Sequence, residues 1–347
     1  MNKKLLYILI IGAIVILVIA LVVFLLIKDK NDEENAQFVK ISNLENINFI
    51  HLSKDNQTIY FFDEIKTNFY KTSVNKKDEV ALTESNFVTV KDVFWSPDND
   101  QVLIEVLNHQ YPYQNKLTPV SNDKLPEDTK LWWLYDLKTK KATQLKQGIR
   151  KVIFSPDSQK VSYSIGEKES TSVYISNPDG SGAQKIIDIN EGIPIDWSKD
   201  GKNIMVQAAE DDKPYLAIVN SETKQMVAKI IAGESGKFSP DGKIIVYDAY
   251  IDYDEKKPSL YFLDDQGKNT SINLETTMEK ITWFDDSKLI TAISENKENF
   301  YMIDTGNEKK KIIFSIGREI NAIDLIVSSD KKNLYMVSNG LLHRLKL

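Results

Sequence analysis

From residue 38 onward, short runs of β-branched and aromatic residues alternate with polar turns, the pattern of an all-β chain. An apolar residue followed by Ser-x-Asp introduces most of these runs. It stands at Leu52-Ser53-Lys54-Asp55, Trp95-Ser96-Pro97-Asp98, Phe154-Ser155-Pro156-Asp157 and Trp197-Ser198-Lys199-Asp200. It returns at Phe238-Ser239-Pro240-Asp241 and Val327-Ser328-Ser329-Asp330, with a degenerate copy at Trp283-Phe284-Asp285-Asp286. The intervals are about 43, 59, 43, 41, 45 and 44 residues, a period that marks a propeller or an array of repeats. Runs such as Ile59-Tyr60-Phe61-Phe62 and Ile244-Ile245-Val246-Tyr247 follow the copies. Pro suits the second position of a type I turn and Asp the third, and Gly201 or Gly242 takes the left-handed position that starts the next strand.

A second signature follows most copies: an apolar strand ending in Asp or Asn before a Gly- or Lys-containing turn. Trp133-Leu134-Tyr135-Asp136, Leu260-Tyr261-Phe262-Leu263-Asp264 and Tyr301-Met302-Ile303-Asp304 are examples. A last short strand, such as Lys185-Ile186-Ile187, closes the unit. Four strands per period make one blade, so seven copies predict a seven-bladed β-propeller of four-stranded antiparallel blades, with six or eight as the alternatives. The seventh copy ends on its third strand, Leu341 to Leu347. Phe38 to Ile41 has no other partner, so it is expected to supply the missing outer strand and close the ring, removing an exposed sheet edge.

These hairpins and the Tyr-x-aliphatic-Asp strands resemble the TolB-like, WD40-like propeller repeats, which also occur in the propeller domains of prolyl-oligopeptidase-type peptidases. The resemblance spans nearly all of 38–347 and implies the repeat, not an activity. The extra N-terminal domain of TolB-type proteins and the α/β-hydrolase domain of the peptidases have no room in this sequence.

Leu5 to Ile27 is an apolar run of 23 residues broken only by Gly12. As a helix it would be roughly 34 Å long, enough for a bilayer core of about 30 Å. It is too long for the apolar region of a cleaved leader, and Glu34-Asn35-Ala36 is a poor small-x-small cleavage site. The expected organisation is a cytoplasmic tip (1–4), one transmembrane helix (5–27), a polar tether (28–37) and the propeller (38–347). Lys3, Lys4 and the terminal amine favour a cytoplasmic N-terminus, leaving the propeller extracytoplasmic on a single-pass anchor.

Composition then removes whole classes of function. The chain has no cysteine and three histidines, His51, His109 and His343, so disulfides, thiolate sites and Cys nucleophiles are excluded and no ligand spacing is present. Setting aside residues 1–30, with four Lys and one Asp, leaves 40 basic and 49 acidic residues, a net charge of −9. That balance argues against nucleic acid as a partner. Gly233-Glu234-Ser235-Gly236-Lys237 imitates part of a phosphate loop but lacks its first Gly and its Ser/Thr. No Gly-x-Ser-x-Gly elbow occurs. The aromatic residues before the turns, Trp95, Trp197 and Trp283 with Phe154 and Phe238, are expected to pack between blades.

Two loops break the repeat. About 23 residues, 108–130, separate two strands of the second blade and carry Tyr111, Pro112 and Tyr113, a rigid contact surface. In the fifth blade Asp252 and Asp254 crowd the corresponding loop beside Tyr250 and Tyr253; their spacing suits a solvated charge run better than a Ca²⁺ loop. With Glu210, Asp211 and Asp212, these give the expected partner-binding residues: Tyr111, Tyr113, Glu210, Asp211, Asp212, Asp252 and Asp254. No catalytic residue, metal or cofactor is expected. The sequence reads as a membrane-anchored interaction module for a protein, peptide or envelope polymer. The alternative is an enzyme on a propeller scaffold, such as a metal-dependent lyase or glycan hydrolase.

Overall fold

The computed structural model describes residues 37–83, 87, 89–108, 129–167, 170–249, 258–294 and 297–347. The expected membrane span, nearly all of the tether, and the loop residues Tyr111, Tyr113, Asp252 and Asp254 lie outside them. Among the described residues no helix is long and apolar enough to cross a membrane.

The described strands form seven four-stranded antiparallel sheets. Strand β1 (Phe38–Lys40) precedes the first blade, which is β2 (Ile47–Leu52), β3 (Thr58–Asp63), β4 (Asn68–Ser73) and β5 (Val80–Ala81). The second is β6 (Val90–Trp95), β7 (Gln101–Asn108), β8 (Thr129–Asp136) and β9 (Lys141–Gln144); the third is β10 (Ile149–Phe154), β11 (Val161–Glu167), β12 (Ser170–Ser176) and β13 (Gln184–Asp188). The fourth is β14 (Ile193–Trp197), β15 (Asn203–Glu210), β16 (Lys213–Asn220) and β17 (Met226–Ile231); the fifth is β18 (Gly233–Phe238), β19 (Ile244–Ala249), β20 (Ser259–Asp264) and β21 (Asn269–Glu275). The sixth is β22 (Ile281–Asp285), β23 (Lys288–Ser294), β24 (Glu298–Asp304) and β25 (Lys310–Ile316). The seventh is β26 (Ala322–Val327), β27 (Asn333–Ser338) and β28 (Leu341–Lys346), with β1 added as its fourth strand.

The recurrent Ser-x-Asp is a hairpin device. In all six full copies the serine hydroxyl donates to the aspartate two residues on, at 2.5–2.7 Å. The same oxygen accepts the backbone N–H five residues on, at 2.9–3.0 Å. The residue after the aspartate has positive φ throughout: Asn56, Asn99, Ser158, Gly201, Gly242 and Lys331. Glycine is therefore one solution for that position, not a requirement, because the Ser–Asp pair fixes the turn from the other side. The hydroxyl, helped by backbone N–H groups, holds Asp55, Asp157, Asp200, Asp241 and Asp330 below the usual carboxylate range.

Between neighbouring blades lie seven apolar cores. Trp95 packs on Phe62 and Phe69 of the first blade, Trp197 on Ile153 and Val173 of the third, and Trp283 on Phe262 of the fifth. The indoles before the turns are thus inter-blade wedges, as the fixed register required.

Ring closure places Phe38 opposite Leu345 and Lys40 opposite His343, and Ile41 N–H continues the ladder to the Leu342 carbonyl at 3.0 Å. The Phe38 ring stacks on His343, with centroids 4.5 Å apart. Burial, reinforced by the nearby charges of Lys40 and Arg318, lowers the His343 pKa to about 4. The sign follows directly. Above pH 6.5 the ring is neutral in both states; as pH falls toward 4 the unfolded chain takes up a proton that the folded chain refuses. Stability is therefore lost over that window, by roughly 2–3 kcal/mol between pH 7.5 and 4.5. Asp196 and Asp248, raised to about 6 by burial, oppose this, because folding becomes easier as they protonate between pH 6 and 3.8. Comparison with a variant isolates the histidine: urea midpoints of residues 37–347 should fall more steeply with acid in the wild type than in His343→Phe. Parallel pH profiles would contradict the assignment.

Candidate binding face

The two faces of the ring differ in construction. One carries the Ser-x-Asp turns and the turns between third and fourth strands; the chain enters here, since Phe38 lies beside Leu345 and hence beside Leu334 at the start of β27. Gln37 donates to the Lys346 carbonyl at 2.8 Å on the same side. The opposite, far face collects the turns between second and third strands and the blade-to-blade connections.

The structure divides the far-face carboxylates into pins and open groups. Asp63 accepts Lys66 N–H at 2.8 Å, Asp248 accepts Ser235 N–H at 2.7 Å, and buried Glu298 receives Ile320 and Ala322 N–H at 3.3 and 3.2 Å. Each ties a connection to its blade. Glu105, buried, pairs with Lys130 at 2.8 Å. The acidic run expected to bind a partner is also partly structural. Glu210 is paired with Lys229 at 2.5 Å, and that ammonium lies 4.2 Å from the Tyr215 ring centroid. Asp211 and Asp212, with φ of 51° and 59°, are the two central residues of the β15–β16 hairpin, where Glu210 faces Lys213. Both left-handed positions suit a type I′ turn, which explains short polar residues there without any partner. Asp212 nevertheless lines a cleft.

That cleft, about 310 Å³, lies between blades three, four and five and is bounded by Arg150, Ile193, Ala209, Asp212, Pro214 and Glu234. A second, of about 460 Å³, adjoins it and shares Arg150 and Ile193; Thr129, Lys130 and Gly148 complete its wall. Thr129 opens β8, so the long second-blade loop is rooted at this groove. Arg150, Ile193 and Glu234 each stand five residues before the motif serine of their blade. Aligning the repeats on that serine would have placed them side by side from sequence; read as a failed phosphate loop, Glu234 was passed over. Arg150 donates to Thr171 Oγ1 at 3.1 Å. Burial raises the Glu234 pKa above the ordinary glutamate value.

The channel along the ring axis holds charges of its own. A cavity of about 350 Å³ is lined by Phe49, Asp92, Trp95, Lys237, Glu279 and Asp324, among others. Lys151 bridges to Asp92 at 2.7 Å and lies 4.6 Å from the Phe94 ring centroid. Lys237 donates to the Met278 and Ile281 carbonyls, both at 2.9 Å. Asp196 accepts Phe238 N–H at 2.8 Å, and Asp324 accepts Phe49 N–H at 3.2 Å, tying the first blade to the seventh. Burial lowers the Lys237 pKa and raises that of Asp324, each partly offset by the other's charge. These groups satisfy backbone and one another, so the channel is braced rather than open chemistry. Among the described residues no three His, Asp or Glu side chains converge as a metal site.

No protein-family model matches the chain, and no curated protein does either. Solved structures share the fold. Hydrazine synthase of Kuenenia stuttgartiensis superposes with a TM-score of 0.60 at 12% identity, covering 89% of this chain and 97% of that one. The Cps50 (Swd1) β-propeller domain of Myceliophteria thermophila gives 0.58 at 6% identity, over 89% and 99%. The tricorn protease gives 0.56 at 12% identity, over 90% of this chain and 34% of its own. The chain is a seven-bladed β-propeller similar to the TolB and peptidase propellers. At these identities the likeness is one of fold.

Proposed function

We propose that the chain is an interaction module held by an N-terminal membrane anchor outside the cytoplasm, presenting its far face to a protein or peptide partner. The observation that carries this reading is the side on which the chain enters. β1 starts on the Ser-x-Asp face, and the ten tether residues, 28–37, span at most about 35 Å. An anchor at 5–27 would therefore draw the Ser-x-Asp face toward the bilayer and leave the grooved face outward. Tether attachment sets this orientation, not charge: the lysines of the near face stand among the six motif aspartates, and Lys138 is paired with Asp100 at 2.5 Å.

Two measurements test it. Protease added to intact cells should remove the propeller and leave a small membrane-bound N-terminal fragment; a mature chain beginning near Ala36 would instead show a cleaved leader. Crosslinking capture from intact membranes should weaken in Tyr111→Ala/Tyr113→Ala and in Glu210→Gln/Asp211→Asn/Asp212→Asn. Asparagine keeps the left-handed turn, so melting should not change. Capture that survives both changes but fails in Lys138→Ala/Lys140→Ala/Lys141→Ala would assign binding to the other face.

A further inference from the structure

Two opposite charges at the far-face channel mouth have no ionic partner among the described residues: Arg150 forms no ion pair and Glu234 none. Both are half-buried and border the same cleft, yet they do not bridge to each other. Elsewhere this protein satisfies its inward charges carefully, as with Lys151–Asp92 and Lys130–Glu105. Partly desolvated charges left apart cost stability and are explained when a ligand supplies their counter-charges. Between them Ile193 presents an apolar side chain, with Pro214 and Ala209 beside it. The order along the groove is cation, apolar, anion.

We propose that this groove binds an extended peptide segment of the partner in which an acidic side chain meets Arg150, an apolar one covers Ile193 and a basic one meets Glu234. Successive side chains on one face of an extended strand lie two residues apart, so the recognised pattern is acid-x-apolar-x-base. A peptide fits better than a saccharide, because neither cleft is lined by an aromatic ring on which a sugar face would stack. This deepens the reading of the far face as the partner surface and rests on it.

The test uses the full-length chain in detergent micelles and dye-labelled, C-terminally amidated peptides. Four are compared by fluorescence anisotropy: Asp-Gly-Val-Gly-Lys, the acid-only Asp-Gly-Val-Gly-Gln, the base-only Asn-Gly-Val-Gly-Lys and the neutral Asn-Gly-Val-Gly-Gln. The doubly charged peptide should bind about tenfold or more tighter than the neutral one, with the gain screened by salt. Arg150→Gln should erase the advantage of the acidic residue and Glu234→Gln that of the basic residue, while Arg150→Lys retains most of the former. Thermal melts check that the variants stay folded. Equal affinity for all four peptides, absence of binding, or charge effects indifferent to Arg150 and Glu234 would overturn the proposal. So would inorganic phosphate competing through Arg150 alone, which would make this an anion site. If the peptides fail while membrane capture still depends on the far face, only this inference falls; if capture is indifferent too, the broader reading falls with it.

Discussion

Deleting residues 37–42 should abolish cooperative unfolding of the propeller or lower its melting midpoint by about 10 °C. Those residues are the seam of the ring. Ile41, only 5% exposed, packs into the core shared by blades seven and one with Ile47, Tyr335 and Leu342, while Phe38 covers His343 and the core between blades six and seven. Losing an isoleucine, a valine and a phenylalanine from such sites costs roughly 1.5–3 kcal/mol each. The deletion also bares the backbone edge of β28. Ser42 and Asn43, which Glu79 holds through its carboxylate, carry the chain into blade one. Calorimetry and size-exclusion chromatography of residues 43–347 beside 37–347 check this, with aggregation as the second expected sign. A synthetic peptide of residues 37–45 should restore part of the lost stability. A truncated chain that melts like the intact one would show that the remaining closure contacts suffice: the Asn56–Ser329 bonds and those from Arg344 to Val74 and Asn75.

Lys237→Met should be the most damaging single substitution in the channel, destabilising by about 3–5 kcal/mol. Methionine fills the same length, so the loss is electrostatic. Two carbonyls, of Met278 and Ile281, lose their donor, and Asp196, Asp324 and Glu279 lose their shared cation. Asp196, already raised to about 6 by burial, should then resist ionisation further and move the loss toward neutral and higher pH. Urea unfolding at pH 5 and pH 8 checks both points, and Asp196→Asn combined with Lys237→Met should recover part of the stability. An unchanged midpoint in Lys237→Met would remove the channel brace from this account.

The repeat was legible because its determinants are local. Ser, Asp and the N–H groups they bind lie within six residues, so every copy carries its own turn instructions. The degenerate copy at Trp283-Phe284-Asp285-Asp286 lacks the serine, and Asp285 there accepts Ser287 N–H at 2.9 Å instead. The closure by Phe38 to Ile41 was also readable, since counting strands left one blade short and one segment over. The partner residues were harder. Asp211 and Asp212 look like a binding cluster in sequence, but a two-residue hairpin asks for the same residue types.

What the sequence by itself determined, then, is the all-β repeat, seven blades, the apolar wedges between them and the strand that closes the ring. Each follows from spacing or from a turn whose atoms are near neighbours in the chain. Tertiary structure alone decided which side chains meet at the axis and the mouth. Bulges shift the inner-strand register between Val90 and Asp92 in one blade and between Pro194 and Asp196 in another, so equivalent charges stand four residues before the serine in the first and two in the second. Lys151 finds Asp92 across 59 residues, and Arg150 and Glu234, 84 apart in sequence, border one cleft because closing the ring sets blades three and five on either side of blade four. Ring geometry, not local propensity, brings those charges together.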